Sequence, residues 1–217
     1  MAAKIIAIVN QKGGAGKTTL TMILASALMN NHVRVLVADA DPQGSATFWA
    51  QNNPGFPAVV EDFSGRGDKI GKKLQKRSED YDFILIDSPP HADLPIIQSA
   101  LLHAHLALVP LNPSPLDLRA SLAIRDSIQA AQRENPELQA RLVLNQVQSN
   151  TRMSQEILQV LDAFGIPVMK TQLHQRMAYR QCILSGGSVF MKSLKAPLAM
   201  LEANALKTEV MHVLRKR

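Results

Sequence analysis

Eight residues near the start of the chain, Lys12-Gly13-Gly14-Ala15-Gly16-Lys17-Thr18-Thr19, gather three glycines, two lysines and two hydroxyls. Those types in that order suit a phosphate. Glycines let successive backbone N–H groups turn inward onto phosphate oxygens, and a helix starting there adds its partial positive charge. Lys17 is then placed for the β- and γ-phosphates and the Thr18 hydroxyl for Mg²⁺, with Gly13, Gly14, Ala15, Gly16 and Thr19 completing the cradle. The loop has the form K-G-G-x-G-K-[ST], a variant of the G-x-x-x-x-G-K-[ST] phosphate loop with a second lysine at Lys12.

Two acidic clusters follow. Asp39-Ala40-Asp41-Pro42-Gln43-Gly44-Ser45 closes the apolar run 33–38, where a carboxylate can face a bound nucleotide. Tyr81-Asp82-Phe83-Ile84-Leu85-Ile86-Asp87-Ser88-Pro89-Pro90 holds an apolar strand ending in aspartate, the Walker B pattern, and Asp87 would hold Mg²⁺ through water. Asn145 ends the run 141–144. Its amide can donate and accept together, as an adenine edge requires, or simply form a turn.

This chemistry needs a strand before the loop and a helix after it. Residues 5–9 read as a buried strand and 20–28 as a helix. Further apolar strands are expected at 33–38, 81–87, 106–110 and 141–146. Functional groups at the carboxyl ends of such strands mark a parallel α/β sheet. The fold expected is α/β, a single-domain P-loop NTPase fold over residues 1–217 with a mostly parallel central sheet and helices on both faces.

A hydrophobic content of 46% in 217 residues is enough for the core of one such domain. No apolar run is long enough to cross a bilayer, and Lys4 with a strand-like run does not make a signal peptide, so a cytoplasmic protein is expected. Cys182 is the only cysteine, which excludes an internal disulfide or a cysteine cluster within one chain; it reads as a small buried apolar residue. The net charge of +6 suggests a polyanionic partner. With 4% aromatic residues, base stacking is a poor basis for recognition, so nucleic acid would be held by its phosphates.

Elsewhere the signals thin out. Residues 51–80 are the least patterned, with loops at 53–57 and 65–67. Lys69, Lys72, Lys73, Lys76 and Arg77 form a basic, helix-like stretch whose simplest reading is a solvated face. Asn31 is suited to a left-handed turn before the second strand. Ser114 or Asp117 can cap a helix running to about 133. A helix over 152–164 and a short strand at 165–169 follow. Leu194, Leu198, Leu201 and Ala205 share one face of the last helix, read as its core face. From 176 onward eight cations face two acids, Glu202 and Glu209, an excess equal to that of the whole chain.

The loop at Lys12–Thr19, with Asp39-Ala40-Asp41-Pro42-Gln43 and Ile86-Asp87-Ser88-Pro89-Pro90, resembles the ParA/MinD family of deviant-Walker ATPases, especially small ParA partition ATPases without an N-terminal DNA-binding domain. The resemblance runs over essentially the whole chain. It implies that Lys12 is the signature lysine reaching a partner's phosphates in an ATP-sandwich homodimer. It implies that Lys17, Thr18 and Thr19 bind phosphate and Mg²⁺, that Asp41 positions the attacking water, that Asp87 is the Walker B aspartate and that Asn145 reads adenine. Asp39 is read as structural. Ser88 stands where threonine is commoner, and Asn31-His32 where many relatives have glycine. Because the chain opens at its first strand, sequence-specific DNA contact is expected to fall to a partner.

The function this implies is an ATP-dependent partition or positioning ATPase. Its ATP dimer would hold nonspecific DNA, and slow hydrolysis would be stimulated by a cargo-bound, ParB-like adaptor, so that a plasmid or other cargo is segregated. Arg176, Arg180, Lys192 and Lys195 are the candidate DNA contacts, and a nucleoid-associated location follows. A membrane-cycling, MinD-like alternative would lay 203–217 on an anionic bilayer through Leu206, Val210, Val213 and Leu214. That segment lacks a bulky Phe or Trp, so no stable membrane association is expected. A metabolic reductase would need more cysteines.

Overall fold

The computed structural model describes residues 2–29, 32–53, 55–91, 94–148 and 155–215, without the side chains of Arg66, Asp68, Gln155, Glu156 and Leu158. Asn31 and the start of the helix expected from 152 lie outside the described residues. Six strands form one sheet: β1 (Lys4–Ile8), β2 (Val35–Asp39), β3 (Val59–Asp62), β4 (Phe83–Asp87), β5 (Leu106–Leu111) and β6 (Gln139–Leu144). Their order is β3-β2-β4-β1-β5-β6 and every pairing is parallel.

The strands read as unbroken apolar runs because both faces are covered. Side chains alternate: Ile5 and Ala7 of β1 join one core, Ile6 and Ile8 the other. The first core is closed by α3 (Ile70–Arg77), α4 (Pro95–His103), α6 (Leu122–Glu134) and α7 (Gln155–Phe164). The second is closed by α1 (Lys17–Leu28), α2 (Ser45–Gln51), α8 (Met177–Ser185) and α9 (Pro197–Arg215). A short α5 (Pro115–Ala120) precedes α6.

Several expectations change. The poorly patterned 51–80 contains β3, an edge strand of four residues in which no position is fully buried, so its sequence lacks an apolar run. The helix expected from 114 to 133 is two, α5 and α6, meeting at the buried Ser121. Ser114 stands at the N-cap without a side-chain hydrogen bond, and Asp117 is engaged elsewhere. The strand expected at 165–169 is a single bridge, Val168 to Leu142.

The face of α9 is also corrected. Leu198 and Leu201 are 58% and 67% exposed, and Ala205 is exposed as well. The buried stripe is Ala199, Ala203, Leu206, Val210 and Val213, packed on α1. Large residues at 198 and 201 mislead because small alanines allow close approach on the neighbouring face. Leu206, Val210 and Val213, the residues a bilayer would need, are therefore in the core. No helix among the described residues is long and apolar enough to cross a membrane.

Candidate active site

Strand order sets the position of the site. The chain leaves β1 toward β2 on one side and later reaches β5 on the other, so a crevice opens at the carboxyl end of β1. The glycine-rich loop fills it. Gly16 caps α1 at φ 87°, a left-handed conformation that a side chain resists, and a Cβ there would lie 2.2 Å from Asn145 Nδ2. The first turn of α1 thus points its free N–H groups into a cavity of about 610 Å³ lined by Gly13, Gly14, Gly16, Lys17, Thr18, Thr19 and Asp41. A larger groove of about 870 Å³ runs along α9 by Arg141 and Lys170, away from the loop and without its converging amides. The loop cavity carries the chemistry.

Lys17 is 8% exposed, and its ammonium donates to the Lys12 carbonyl at 3.3 Å. Burial lowers its pKa, while Asp87 and Asp41 oppose the shift. Register explains this company: Ile8 of β1 faces Asp87, which in turn faces Asp39 of β2. Asp87 is fully buried, and burial chiefly pushes its pKa to about 7, although a hydrogen bond from Thr18 pulls the other way. Its Oδ2 has no hydrogen-bond partner. A carboxylate oxygen orphaned beside a threonine hydroxyl fits a divalent cation. No cluster of three or more His, Cys, Asp or Glu among the described residues could hold a metal alone, so such an ion would take its other ligands from phosphate and water.

The two aspartates at the end of β2 and just beyond it have different surroundings. Asp39 is 1% exposed and accepts from the Thr47 N–H and hydroxyl, both at 2.8 Å, which fixes α2. Its expected structural role matches that geometry. Asp41 lines the cavity, and its Oδ1 accepts from the Gln43 N–H at 2.9 Å, within a turn closed by Gly44 N–H on the Asp41 carbonyl.

Lys12 does not line the cavity. Its ammonium forms an ion pair with Asp117 of α5, whose side chain is only 11% exposed against 37% for Lys12. Asn10 sets this up: it is 1% exposed, accepts from the Lys12 N–H at 3.1 Å and from the Ser121 hydroxyl at 3.0 Å, and donates to the Pro110 carbonyl at 2.7 Å.

Asn145 is 5% exposed and its amide N–H donates to the Ala15 carbonyl at 2.8 Å, so it braces the loop from beneath. Its neighbour Gln146, with φ 54°, lines the cavity and donates to the Gly14 carbonyl at 3.0 Å. Asn10, Asp117 and Gln146 were missed as site residues. A polar residue directly after an apolar run is the available signal for Asn10, and Gln146 stands one position beyond Asn145, after a later such run.

The four basic candidates differ in what they touch. Arg176 is taken up by Glu202, with contacts of 3.0 and 2.6 Å, and Glu202 also accepts from Tyr179 at 2.7 Å and pairs with His174 at 2.7 Å. Arg176 is therefore a structural partner here. Arg180, Lys192 and Lys195 are exposed, on α8 and around the turn Lys192–Leu194.

Fold and loop together define a P-loop nucleotide-binding protein. The CobQ/CobB/MinD/ParA nucleotide binding domain family matches residues 6–189, and the chain belongs to that family. It is 33% identical over 207 residues to maintenance of carboxysome distribution protein A of Halothiobacillus neapolitanus, covering 94% of this chain and 95% of the relative. It is 26% identical over 209 residues to protein ParA of Rhizobium radiobacter, covering 93% and 92%. Apo McdA of Cyanothece superposes with a TM-score of 0.76 at 18% identity, covering 96% of this chain and 99% of that one. The chain is a ParA/MinD-type ATPase of the partition and positioning class.

Proposed function

We propose that this chain is a slow ATPase whose ATP-bound homodimer holds nonspecific DNA and releases it when a cargo-bound adaptor stimulates hydrolysis. The observation that carries this reading is the pair of lysines in one loop. Lys17 faces its own cavity, and Lys12 stands outside it on Asp117, at 37% side-chain exposure. A partly exposed lysine beside the loop yet outside its own cavity supports a role in the site of a second copy.

In that dimer Lys17 and the partner copy's signature lysine neutralise charge building on the transferring phosphoryl group, and Asp41 orients the attacking water. The water oxygen bonds to the γ-phosphorus as the bond to the bridging oxygen breaks, giving ADP and phosphate. Mg²⁺, held by Thr18 and Asp87, would supply further positive charge to the phosphates. The Halothiobacillus relative, matched over 95% of its length, favours a protein compartment as cargo over a plasmid. A cytoplasmic, nucleoid-associated location belongs to the same reading, as does a single ATPase domain over 1–217.

Binding to nonspecific duplex DNA with ATP, ADP or no nucleotide, over a salt series, tests this. Retention with ATP alone, lost as salt rises, is expected. Binding to anionic liposomes instead, with none to DNA in any nucleotide state, would overturn it.

A further inference from the structure

We propose that the outer face of α3 is the surface that contacts the phosphate backbone of DNA. The inference rests on the DNA-holding reading above and names the place where it is exerted. The C-terminal quarter has the larger share of charge, yet Arg176 is spent on Glu202 and the remaining cations are spread over several elements. The stretch 69–77 carries five cations and no acid.

Packing sorts those five into two groups. Ile70, Gly71 and Leu74 face inward. Gly71 lies so close to α4 that a Cβ would meet the His103 ring at 2.2 Å, which fixes the rotation of the helix. Lys73 and Arg77 turn toward β3, where both pair with Glu61. Lys73 also lies 3.6 Å over the Phe63 ring, and Arg77 reaches Asp80 at 3.1 Å. These two anchor the helix to the sheet edge.

Lys69, Lys72 and Lys76 are the second group. All three are exposed and make no ion pair among the described residues. Their spacing of three and four residues places them on one stripe, about 10 Å long at the rise of a helix. An open cleft of about 710 Å³ lies alongside, with Gly65 and Glu61 in its wall. A rigid helix thus presents three flexible ammonium groups in a row.

The chemistry of the face selects the partner. No leucine, isoleucine, valine, methionine or aromatic residue between 60 and 90 is exposed among the described residues. On β3 and α4, which flank α3, the exposed large apolar residues are Val59 and Leu102, too few to insert into a bilayer or to anchor a protein partner. Nothing is available to stack on bases either. Lysines act as point charges on phosphate without reading sequence, which is what a nonspecific DNA surface requires.

The test compares three full-length proteins in the ATP state: wild type, the triple variant Lys69→Gln, Lys72→Gln, Lys76→Gln, and the triple variant Arg180→Gln, Lys192→Gln, Lys195→Gln. Binding to a duplex of random sequence is followed over a salt series, with circular dichroism and ATP-dependent dimerisation as controls. Three lost phosphate contacts reduce the slope of log K against log salt by about 2.7 per protomer. The α3 variant is expected to show that loss with dimerisation unchanged, and the tail variant to show the smaller one. A still gentler variant, Lys72→Gln alone, is expected to lower the slope by about 0.9. Wild-type binding that the α3 variant retains in full would overturn the surface and leave the DNA-holding function standing. No DNA binding by wild type would overturn both, and ATP-dependent liposome binding weakened by the α3 substitutions would assign the face to a membrane.

Discussion

Lys12 cannot hold Asp117 and a partner's phosphate at once, so the ion pair opposes dimerisation and removing it should strengthen the dimer. Asp117→Asn keeps the volume of a side chain 11% exposed and removes the charge that holds Lys12. The pair is half-sheltered and is taken at the upper end of the exposed range, about 1 kcal/mol. Two protomers each release one pair on association, about 2 kcal/mol in all, which tightens the dimer dissociation constant roughly 30-fold. Sedimentation velocity over a concentration series with ATP measures that constant, and the ADP state serves as the control. A dissociation constant equal to or weaker than wild type, in a folded protein, would refute the idea that Asp117 withholds Lys12.

Other perturbations follow from the same geometry. Gly16→Ala forces a side chain into a backbone at φ 87° and against Asn145, about 1–3 kcal/mol of backbone strain before the clash. ATP titration followed through Trp49, the only tryptophan and a wall of the cavity, should show binding lost; affinity within twofold of wild type would count against the cradle. Asn145→Ala removes the amide under the Ala15 carbonyl and should weaken ATP and GTP alike, by about 1–2 kcal/mol or five- to thirtyfold. A loss confined to ATP would instead assign Asn145 to reading adenine. Glu202 is subject to two opposed influences: burial raises its pKa, but hydrogen bonds from Arg176, Tyr179 and His174 outweigh it and hold the carboxyl below the usual range. Its stabilising contribution is therefore complete above the ordinary carboxylate pKa and is lost as pH falls through the depressed one. Glu202→Gln should lower Tm at pH 7 by about 5–10 °C, from roughly 2–3 kcal/mol. The gap to wild type should close as pH drops below about 4; a gap that stays constant would show that the charge is not what matters.

The parallel sheet was legible because strands buried on both faces are continuous apolar runs that short length and flanking polar residues and prolines set apart from helices. β3 escaped because an edge strand with half-exposed residues carries no such run. The phosphate loop was legible since its chemistry is local: glycines, lysine and threonine act within one turn of backbone. What stayed hidden is what contacts across the fold decide. Asp117 lies 105 residues from Lys12, and only the meeting of α5 with the loop makes it that lysine's partner. Asn145 stands at the expected strand end, but the closeness of Gly16 turns its amide onto the loop. On α9 the large leucines suggested the core face, whereas Ala199 and Ala203 allow the close approach. Arg176 reads as a free cation in sequence, but the fold sets Glu202, 26 residues on, beside it.

The most direct test of an intermolecular lysine is phosphate release per protomer as a function of protein concentration, for wild type and Lys12→Ala. Wild-type specific activity is expected to climb with concentration as dimers form, while Lys12→Ala stays near zero throughout. Equal, concentration-independent turnover in the two proteins would contradict a site completed by a second copy.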